Sequence, residues 1–237
     1  MQDIDPLDFQ DQLLRGLTHK MNNILSLFHG YLAMITEDQS LDASTLAGLN
    51  RIKEGAFSAS ELMDRVQSLI RPTSIKVREV NLREVLGACQ KGFELLASRG
   101  VKLSLTCEDN LPPVCADPNR LRTILAEIVS NAVEASPENG LVRIEAKFDT
   151  GAAQYAASVR TSPWALITVR NNANPIAPEA MKRVFEPFFT TRQSRSAFGL
   201  GLPVALALAK QLGGSLRFEQ NGNESVCSLR LPLHQAV

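Results

Sequence analysis

Apolar residues in the first third of the chain recur at alternating intervals of three and four positions. One stripe starts at Leu14, and after a polar segment the same spacing resumes at Leu49. The two stripes are Leu14, Leu17, Met21, Ile24, Phe28, Tyr31 and Ile35, then Leu49, Ile52, Ala56, Ala59, Met63, Val66 and Ile70. This alternation predicts two long helices that each carry a heptad seam, the second of which is stopped by Pro72.

The segment TEDQSLDAS between the two stripes is rich in turn and cap residues. We therefore expect the helices to fold back on each other as an antiparallel hairpin. A single hairpin would leave a whole apolar stripe in water. Pairing with a second copy as a four-helix bundle would cover that stripe, so the pattern predicts a homodimer.

Beyond residue 74 the periodicity changes to short segments of alternating or β-branched character. Six segments predict strands: VREVNL, VKLSLTCE, LVRIEAKF, WALITVR, SLRFEQ and SVCSLRLPL. Helical periodicity lies between them, near residues 82–98, 118–136 and 202–212, and residues 171–199 predict a long functional loop. We expect an α+β fold, with a helical hairpin domain in residues 1–73 and an α/β sandwich in residues 74–237.

Charge and cysteine content exclude several classes of protein. Lys and Arg together total 25, as do Asp and Glu, and no basic cluster favours nucleic-acid binding. No apolar run approaches the roughly 20 residues that span a bilayer, so we expect a cytoplasmic protein without membrane insertion. Cys89, Cys107, Cys115 and Cys227 lack the paired spacing of a zinc site, and we expect them to be reduced thiols.

His19 lies two residues after one seam position and two before the next, which places its imidazole on the outward side of the first helix. Asn23 follows four residues later and shares that face. A neutral imidazole is a good nucleophile towards phosphorus, and a neighbouring amide can orient a water for the reverse hydrolysis. An isolated exposed His is more often merely solvated, and His29 and His234 have no comparable setting.

The run LTHKMNNILSLFHGYLAMI resembles the phosphoacceptor segment of sensor histidine kinases of two-component systems. The resemblance implies that His19 accepts the phosphate and that Asn23 serves the dephosphorylation reaction. The residue after the phosphoacceptor is usually acidic in that family. Lys20 stands there in this chain, and a charged lysine cannot accept a proton.

Glu127 and Asn131 stand one turn apart in DPNRLRTILAEIVSNAVEAS, whose apolar residues occupy another helical face. A carboxylate and an amide at this spacing can reach a hydrated Mg²⁺ ion, although a surface polar pair has the same spacing. The run is similar to the conserved helix of the Bergerat-type ATPase fold shared by histidine kinases, gyrase and Hsp90 chaperones. That similarity implies that Asn131 holds the magnesium that bridges the phosphates of ATP.

FEPFFTTR, residues 185–192, is similar to the lid motif of histidine kinases, which implies that Arg192 offers a planar fork to a phosphate. The next motif, FGLGLPVALALAKQLGG, places Gly199 and Gly201 immediately before a helix. Backbone amides at a helix N-terminus bind phosphate oxygens. The motifs stand in the family's order, which strengthens the resemblance.

ITVRNNANPIAPEAM departs from the family's pattern of an adenine-reading Asp followed by glycines. Asn171 replaces the Asp, Ala173 and Pro175 replace glycines, and Ala197 replaces another glycine before Gly199. An Asn carbonyl still accepts from the adenine amino group, but a charge-assisted component of about 1 kcal/mol is lost. The implied nucleotide-binding residues are Glu127, Asn131, Asn171, Thr191, Arg192, Gly199, Leu200, Gly201 and Leu202.

The resemblance covers nearly the whole chain and implies an ATP- and Mg²⁺-dependent protein-histidine kinase. It would autophosphorylate His19 and pass the phosphate to an aspartate of a response-regulator receiver domain, with a separate sensor protein as a further candidate partner. Lys20 and the changed adenine segment leave open a weakened pseudokinase, or a phosphotransfer adaptor that keeps the dimeric bundle and receiver docking. A third alternative is a regulator in which nucleotide binding switches the lid without phosphoryl transfer.

Overall fold

The computed structural model describes residues 6–36, 41–69, 75–97, 100–149, 163–192 and 198–234. The chain divides into two compact units, Met1–Thr73 with Gln193–Phe198, and Ser74–Arg192 with Gly199–Val237. Ile70, Pro72 and Ala197, and the boundary predicted between residues 73 and 74, lie outside the described residues, so the expectations placed on them stay predictions. Within the described ranges, none of the helices combines the length and apolar character that a membrane crossing requires.

The described residues of the first unit form the two expected helices, α1 (Pro6–Thr36) and α2 (Ala43–Leu69), which pack against each other. Asp42 begins α2 as a capping residue. Its carboxylate accepts hydrogen bonds from the backbone amides of Ser44 and Thr45, each at 2.9 Å, and these two amides have no partner within the helix.

The core of the hairpin uses a different face of α1 from the predicted stripe. Leu25, Leu32 and Ala56 are buried together, and the partly buried residues Leu49, Ala59 and Met63 surround them. The predicted α1 stripe is largely exposed instead. The face of α1 that meets α2 includes polar residues as well as leucines: Nε2 of His29, for example, lies 3.2 Å from Oγ of Ser60. The stripe of α1 therefore forms an apolar face that the hairpin itself does not cover.

In its described residues, the second unit contains seven strands and four helices. The strands are β1 (Arg78–Val80), β2 (Lys102–Cys107), β3 (Val114–Ala116), β4 (Leu141–Asp149), β5 (Trp164–Asn172), β6 (Ser215–Asn221) and β7 (Glu224–Pro232). The helices are α3 (Leu82–Leu96), α4 (Pro118–Ala135), α5 (Pro178–Met181) and α6 (Gly201–Gln211). Five strands form one sheet in the order β2-β4-β5-β7-β6, in which β2 and β4 are parallel and the other pairs are antiparallel.

Helices α3, α4 and α6 cover one face of this sheet, as the alternation of buried residues along the strands requires. Ile144 of β4, Ile167 of β5 and Leu229 of β7 are fully buried on that face. The α+β class predicted from the sequence is confirmed. The sheet serves as a platform on which α4 and the start of α6 are held side by side.

Two short elements, β3 and α5, were not predicted from the sequence. β3 pairs with β1 in a separate two-stranded antiparallel sheet, so β1 lies outside the main sheet, and α5 lies within the predicted loop 171–199. Three or four residues are too few to establish a period in the sequence. Val114 and Ala116 are nevertheless completely buried in the strand that pairs with β1, which lies more than 30 residues earlier in the chain.

Candidate functional site

Helix α4 is fixed by its cap and by its apolar face. Asp117 accepts from the backbone amides of Asn119 at 3.0 Å and Arg120 at 3.3 Å, and Pro118 occupies the first turn, where its missing N–H has no cost. The residues of α4 that are buried against the rest of the unit are Leu121, Ile124, Leu125, Ile128, Val129, Ala132 and Val133. Their burial fixes the direction in which the polar side chains of α4 point.

Glu127 and Asn131 meet the first residue of α6. A Cβ atom added to Gly201 would lie 2.8 Å from Nδ2 of Asn131 and 2.9 Å from Oε2 of Glu127, closer than ordinary packing permits. The glycine is therefore what allows the α6 backbone to approach this pair of side chains. The structure brings together three residues that the sequence placed in the nucleotide site.

Asn131 is also held by Arg192. Nη2 of Arg192 donates to Oδ1 of Asn131 at 2.7 Å, and Nη1 of the same guanidinium forms an ion pair with Glu134. Oγ of Ser130 donates to the other carboxylate oxygen of Glu134 at 2.8 Å. Glu134 was not among the site residues predicted from the sequence, although its position three residues after Asn131 places both on neighbouring parts of one helix face.

The donor set around Asn131 suits magnesium. Oδ1 of Asn131 and the nearby carboxylate of Glu127 offer oxygen atoms, which Mg²⁺ prefers, and two protein ligands agree with the several waters that the ion usually keeps. Elsewhere in the described ranges, no three His, Cys, Asp or Glu side chains form a cluster able to hold a metal ion. Nδ2 of Asn131 is buried with no acceptor among the described residues, so the amide is not fully satisfied by this unit.

Gly199 is required by a tight crossing of two segments. Its φ is +64°, and a Cβ atom there would lie 2.5 Å from the carbonyl oxygen of Phe189. The backbone amide of Phe188, whose φ is also positive, donates to the carbonyl of Gly199 at 3.0 Å. This crossing joins the FEPFFTTR motif to the start of α6. The ring of Phe189 lies under the guanidinium of Arg183, 4.2 Å from its carbon, whereas the Phe188 side chain is 64% exposed.

The start of α6 offers backbone groups rather than side chains. Leu200 is the capping residue, is completely buried, and makes no side-chain hydrogen bond to the helix. Gly201 and the half-buried Leu202 then open the first turn, whose amides have no intrahelical partner. Such amides can bind phosphate oxygens. Thr191, also placed in the site by the sequence, is exposed beside Arg192.

Asn171 is the last residue but one of β5, lies on the face of the sheet that the helices cover, and is 5% exposed. Its Nδ2 donates to the carbonyl of Asn172 at 3.1 Å, and its strand partner is the buried Ser225 of β7. The backbone after it is held by the protein itself, because the amide of Ala173 donates to the carbonyl of Asn223 at 2.7 Å. Hydrogen bonds within the protein thus hold Asn171 and Ala173, two of the residues that depart from the family's adenine pattern.

Gln220 of β6 also stabilises the backbone that follows β5. Oε1 of Gln220 accepts from the amide of Ile176 at 2.7 Å, and its Nε2 donates to the carbonyl of Asn174 at 3.0 Å. Its Nε2 also lies 3.1 Å from Oγ of Ser225. No role of Gln220 could be predicted from the sequence, since its partners Ile176 and Asn174 lie 44 and 46 residues away along the chain.

His19, in the first unit, is exposed on α1. Its Nδ1 lies 3.4 Å from Nδ2 of Asn23, one helical turn further on, and Lys20 beside it is also exposed. The preceding residue, Thr18, is 3% exposed and donates from its hydroxyl to the carbonyl of Leu14 at 2.8 Å. The change from a buried Thr18 to an exposed His19 fixes the imidazole on the solvent side of the helix.

The family model for the histidine kinase-, DNA gyrase B- and HSP90-like ATPases matches residues 116–235, slightly more than half of the chain. The chain belongs to this ATPase family. The matched range contains α4, the FEPFFTTR motif and the start of α6, which are the elements that meet around Asn131. An ATP-binding domain of this family is therefore present, together with the preceding helical hairpin.

Curated relatives of this ATPase-family chain include a sporulation kinase and a sensor histidine kinase. The chain is 27% identical over 235 residues to sporulation kinase C of Bacillus subtilis strain 168, covering 96% of this chain and 50% of the relative. It is 26% identical over 224 residues to the sensor histidine kinase ZraS of Escherichia coli strain K12, covering 94% of this chain and 45% of the relative. The chain thus spans about half the length of these relatives.

A crystal structure of full-length ShkA in complex with AMPPNP shares the fold. The match has a TM-score of 0.74 at 21% identity and covers 95% of this chain and 46% of the other. Because the match includes nearly all of this chain, it extends over both the hairpin and the ATPase unit. The resemblance to a sensor histidine kinase core found in the sequence is therefore confirmed at the level of the family and the fold.

Proposed function

We propose that this chain is the catalytic core of a two-component protein-histidine kinase, with residues 1–73 as the dimerisation and phosphoacceptor domain and residues 74–237 as the ATP-binding domain. The observation that carries the proposal is the meeting of Glu127, Asn131 and Gly201 in a chain of this ATPase family. Bound Mg²⁺ would neutralise charge on the phosphates of ATP. Asn131 would hold that ion, and Glu127 would orient its waters.

The remaining residues of the site would bind the nucleotide. The first-turn amides of α6, at Gly201 and Leu202, face no side-chain cap and would donate to phosphate oxygens. Arg192 would move its guanidinium from Asn131 to a phosphate, where a planar fork can donate two hydrogen bonds. Asn171 would meet the adenine amino group with its amide oxygen, as an acceptor without charge.

His19 would be the nucleophile. Rotation of the Asn23 amide presents its oxygen to Nδ1–H of His19, which leaves the lone pair on Nε2 for attack on phosphorus. The Nε2–phosphorus bond forms as the bond from the γ-phosphorus to the bridging oxygen breaks, and ADP leaves with that oxygen. A receiver-domain aspartate would then take the phosphoryl group. In the reverse direction Asn23 would orient the water that removes the phosphoryl group.

A labelling experiment tests this proposal. Purified chain is incubated with Mg²⁺ and γ-labelled ATP, alongside His19→Gln and Asn131→Ala. Wild type should be labelled and both variants unlabelled, but His19→Gln should retain nucleotide binding, whereas Asn131→Ala should lose its magnesium dependence. An unlabelled wild type, under conditions that label a control kinase, contradicts the proposal.

The second candidate function is a pseudokinase or phosphotransfer adaptor. The adenine segment favours it, because the amide of Ala173 is bonded within the protein and Pro175 has no amide hydrogen to offer. Lys20 also favours it, because it replaces the acidic residue that usually follows the phosphoacceptor in that family. Calorimetric titration with ATP and with ADP separates the candidates, since magnesium-dependent binding at millimolar concentration or tighter contradicts loss of the pocket.

A further inference from the structure

Three side chains of different types meet at the small sheet formed by β1 and β3. Glu79 of β1 and Cys115 of β3 are directly opposite each other in the antiparallel register. His234 follows β7 and is held beside them, because its backbone amide donates to the carbonyl of Pro113 at 2.7 Å and the preceding residue bridges to Val114. None of these residues belongs to the nucleotide site described above.

The three side chains form a chain of hydrogen bonds. Sγ of Cys115 lies 3.4 Å from Nδ1 of His234, and Nε2 of His234 lies 2.8 Å from Oε1 of Glu79. Since the carboxylate can only accept, the imidazole donates to it from Nε2–H, and Nδ1 is left to accept the thiol proton. The side chain of His234 is 34% exposed and Cys115 is partly exposed, so the pair lies at the surface of the unit and not in its core.

The other three cysteines have environments that keep the thiol protonated. Burial raises the pKa of Cys227 to about 12. Burial also raises the pKa of Cys89 and that of Cys107, although both are partly exposed. Sγ of Cys107 points at the carbonyl of Glu108, 3.7 Å away, an acceptor that cannot take a proton. The imidazole beside Cys115 can take one, and the nucleophile in thiol chemistry is the thiolate.

We propose that Cys115 is a site of oxidation by hydroperoxides, activated by His234 and Glu79. His234 takes the thiol proton on Nδ1, and Glu79 stabilises the resulting imidazolium. Sγ attacks the terminal peroxide oxygen and the O–O bond breaks. The departing hydroxide, or the alkoxide of an organic hydroperoxide, takes the proton from His234 and leaves as water or as an alcohol. The sulfur is oxidised by two electrons to sulfenic acid, and the hydroperoxide is reduced.

The test follows all four cysteines in the reduced full chain. The protein is exposed to hydrogen peroxide with dimedone present to trap sulfenic acid, and each cysteine peptide is quantified over time by mass spectrometry. Cys115 should be trapped about tenfold or more faster than Cys107, the matched partly exposed strand cysteine. His234→Gln should reduce the rate at Cys115 to that of Cys107, and Glu79→Gln should reduce it part of the way.

Equal rates at Cys115 and Cys107 in wild type would overturn the proposal without any variant. An unchanged Cys115 rate in His234→Gln would do the same. Cys227 reports on folding within each sample, since a buried thiol reacts only when the sheet opens. If Cys227 of His234→Gln becomes reactive, the comparison moves to Glu79→Gln, whose altered side chain is largely exposed. The outcome is independent of phosphoryl transfer.

Discussion

Arg192 and Asn131 are joined by a hydrogen bond of 2.7 Å from the guanidinium to the amide oxygen, across 61 positions of the chain. Asn131 is the residue that we propose as a magnesium ligand. A guanidinium and a metal ion carry like charges, so both cannot lie against one amide oxygen without strong repulsion. Binding of Mg²⁺–nucleotide therefore requires Arg192 to leave Asn131, and Glu134 holds Arg192 in place.

Glu134→Gln should tighten the binding of Mg²⁺–AMPPNP. The substitution removes the ion pair that keeps Arg192 on Asn131, a half-exposed pair of the kind worth at most about 1 kcal/mol. The dissociation constant should fall by up to about fivefold. Isothermal titration calorimetry of wild type and variant measures the change.

The ion pair between Arg183 and Glu186 provides the matched control. Its length is 2.7 Å and both side chains are about half exposed, but it does not involve Asn131. Glu186→Gln should leave the dissociation constant unchanged. Weaker binding by Glu134→Gln, or the same change in both variants, would show that Glu134 does not compete with the nucleotide through Arg192.

Gly201→Ala should destabilise the ATPase unit and weaken nucleotide binding. The added Cβ atom would lie within 3 Å of the side-chain ends of Asn131 and Glu127, which must turn out of their present rotamers at a cost of about 0.5–1.5 kcal/mol each. Urea unfolding gives the loss of stability, and calorimetry gives the loss of affinity.

Gly87→Ala is the control for that substitution. Gly87 lies within α3, and its added Cβ atom would meet nothing within 4 Å. Alanine there should raise the free energy of unfolding by about 0.5–1 kcal/mol, because glycine loses more conformational entropy in a helix. If Gly201→Ala behaved like Gly87→Ala, the close approach of α6 to Asn131 would be disproved.

The cap of α4 should make stability depend on pH. Partial burial alone would raise the pKa of Asp117, but hydrogen bonds from the backbone amides of Arg120, Lys76 and Asn119 outweigh it and lower that pKa. A carboxyl whose pKa is lower in the folded chain stabilises it above the unfolded pKa of about 4, and this contribution is lost as the pH falls through the folded value.

Asp117→Ala should therefore cost about 1 kcal/mol of unfolding free energy at pH 7 and less at pH 3. Urea unfolding at the two pH values measures both differences. Asp42→Ala is a comparison in the other unit, since Asp42 caps α2 in the same way. A penalty for Asp117→Ala that is equally large at pH 3 would mean that the charge of the carboxylate contributes nothing.

Local sequence signals predicted α4 well. Asp117 and Pro118 mark its start, and the spacing of apolar residues identifies its buried face. The same signals placed Glu127 and Asn131 together, because one turn of helix settles their proximity. The partners of Asn131 were harder to predict. Arg192 and Gly201 reach it only through the fold of the sheet, which no periodicity encodes.

The packing face of helix α1 could not be predicted from the sequence. Its apolar stripe was visible, but the face that meets α2 was not, because that face mixes Leu25 and Leu32 with Thr18 and His29. A polar residue that finds a partner across the hairpin packs as well as an apolar one, and the sequence does not show the partner. The cluster of Cys115 with His234 was missed for the same reason: 119 positions separate the two residues.

The exposed stripe on α1 predicts the oligomeric state. Phe28 and Tyr31 of this stripe are exposed by 52% and 64%, and Leu17 by 56%, on a hairpin whose own core is buried elsewhere. Burying an aromatic or aliphatic side chain of this size gains about 1.5–3 kcal/mol, and a symmetric dimer gains it twice. We propose that wild type is a dimer at micromolar concentration, measurable by sedimentation equilibrium.

Phe28→Glu should shift the chain to monomer, since a carboxylate placed in an apolar interface loses its hydration without gaining a partner. Ser26→Glu is the matched control, because Ser26 is exposed on the side of α1 away from the stripe and the same charge there should leave the dimer intact. The two variants differ in position and not in the introduced group. A monomeric wild type, or equal dissociation by both variants, would contradict a dimer built on this stripe.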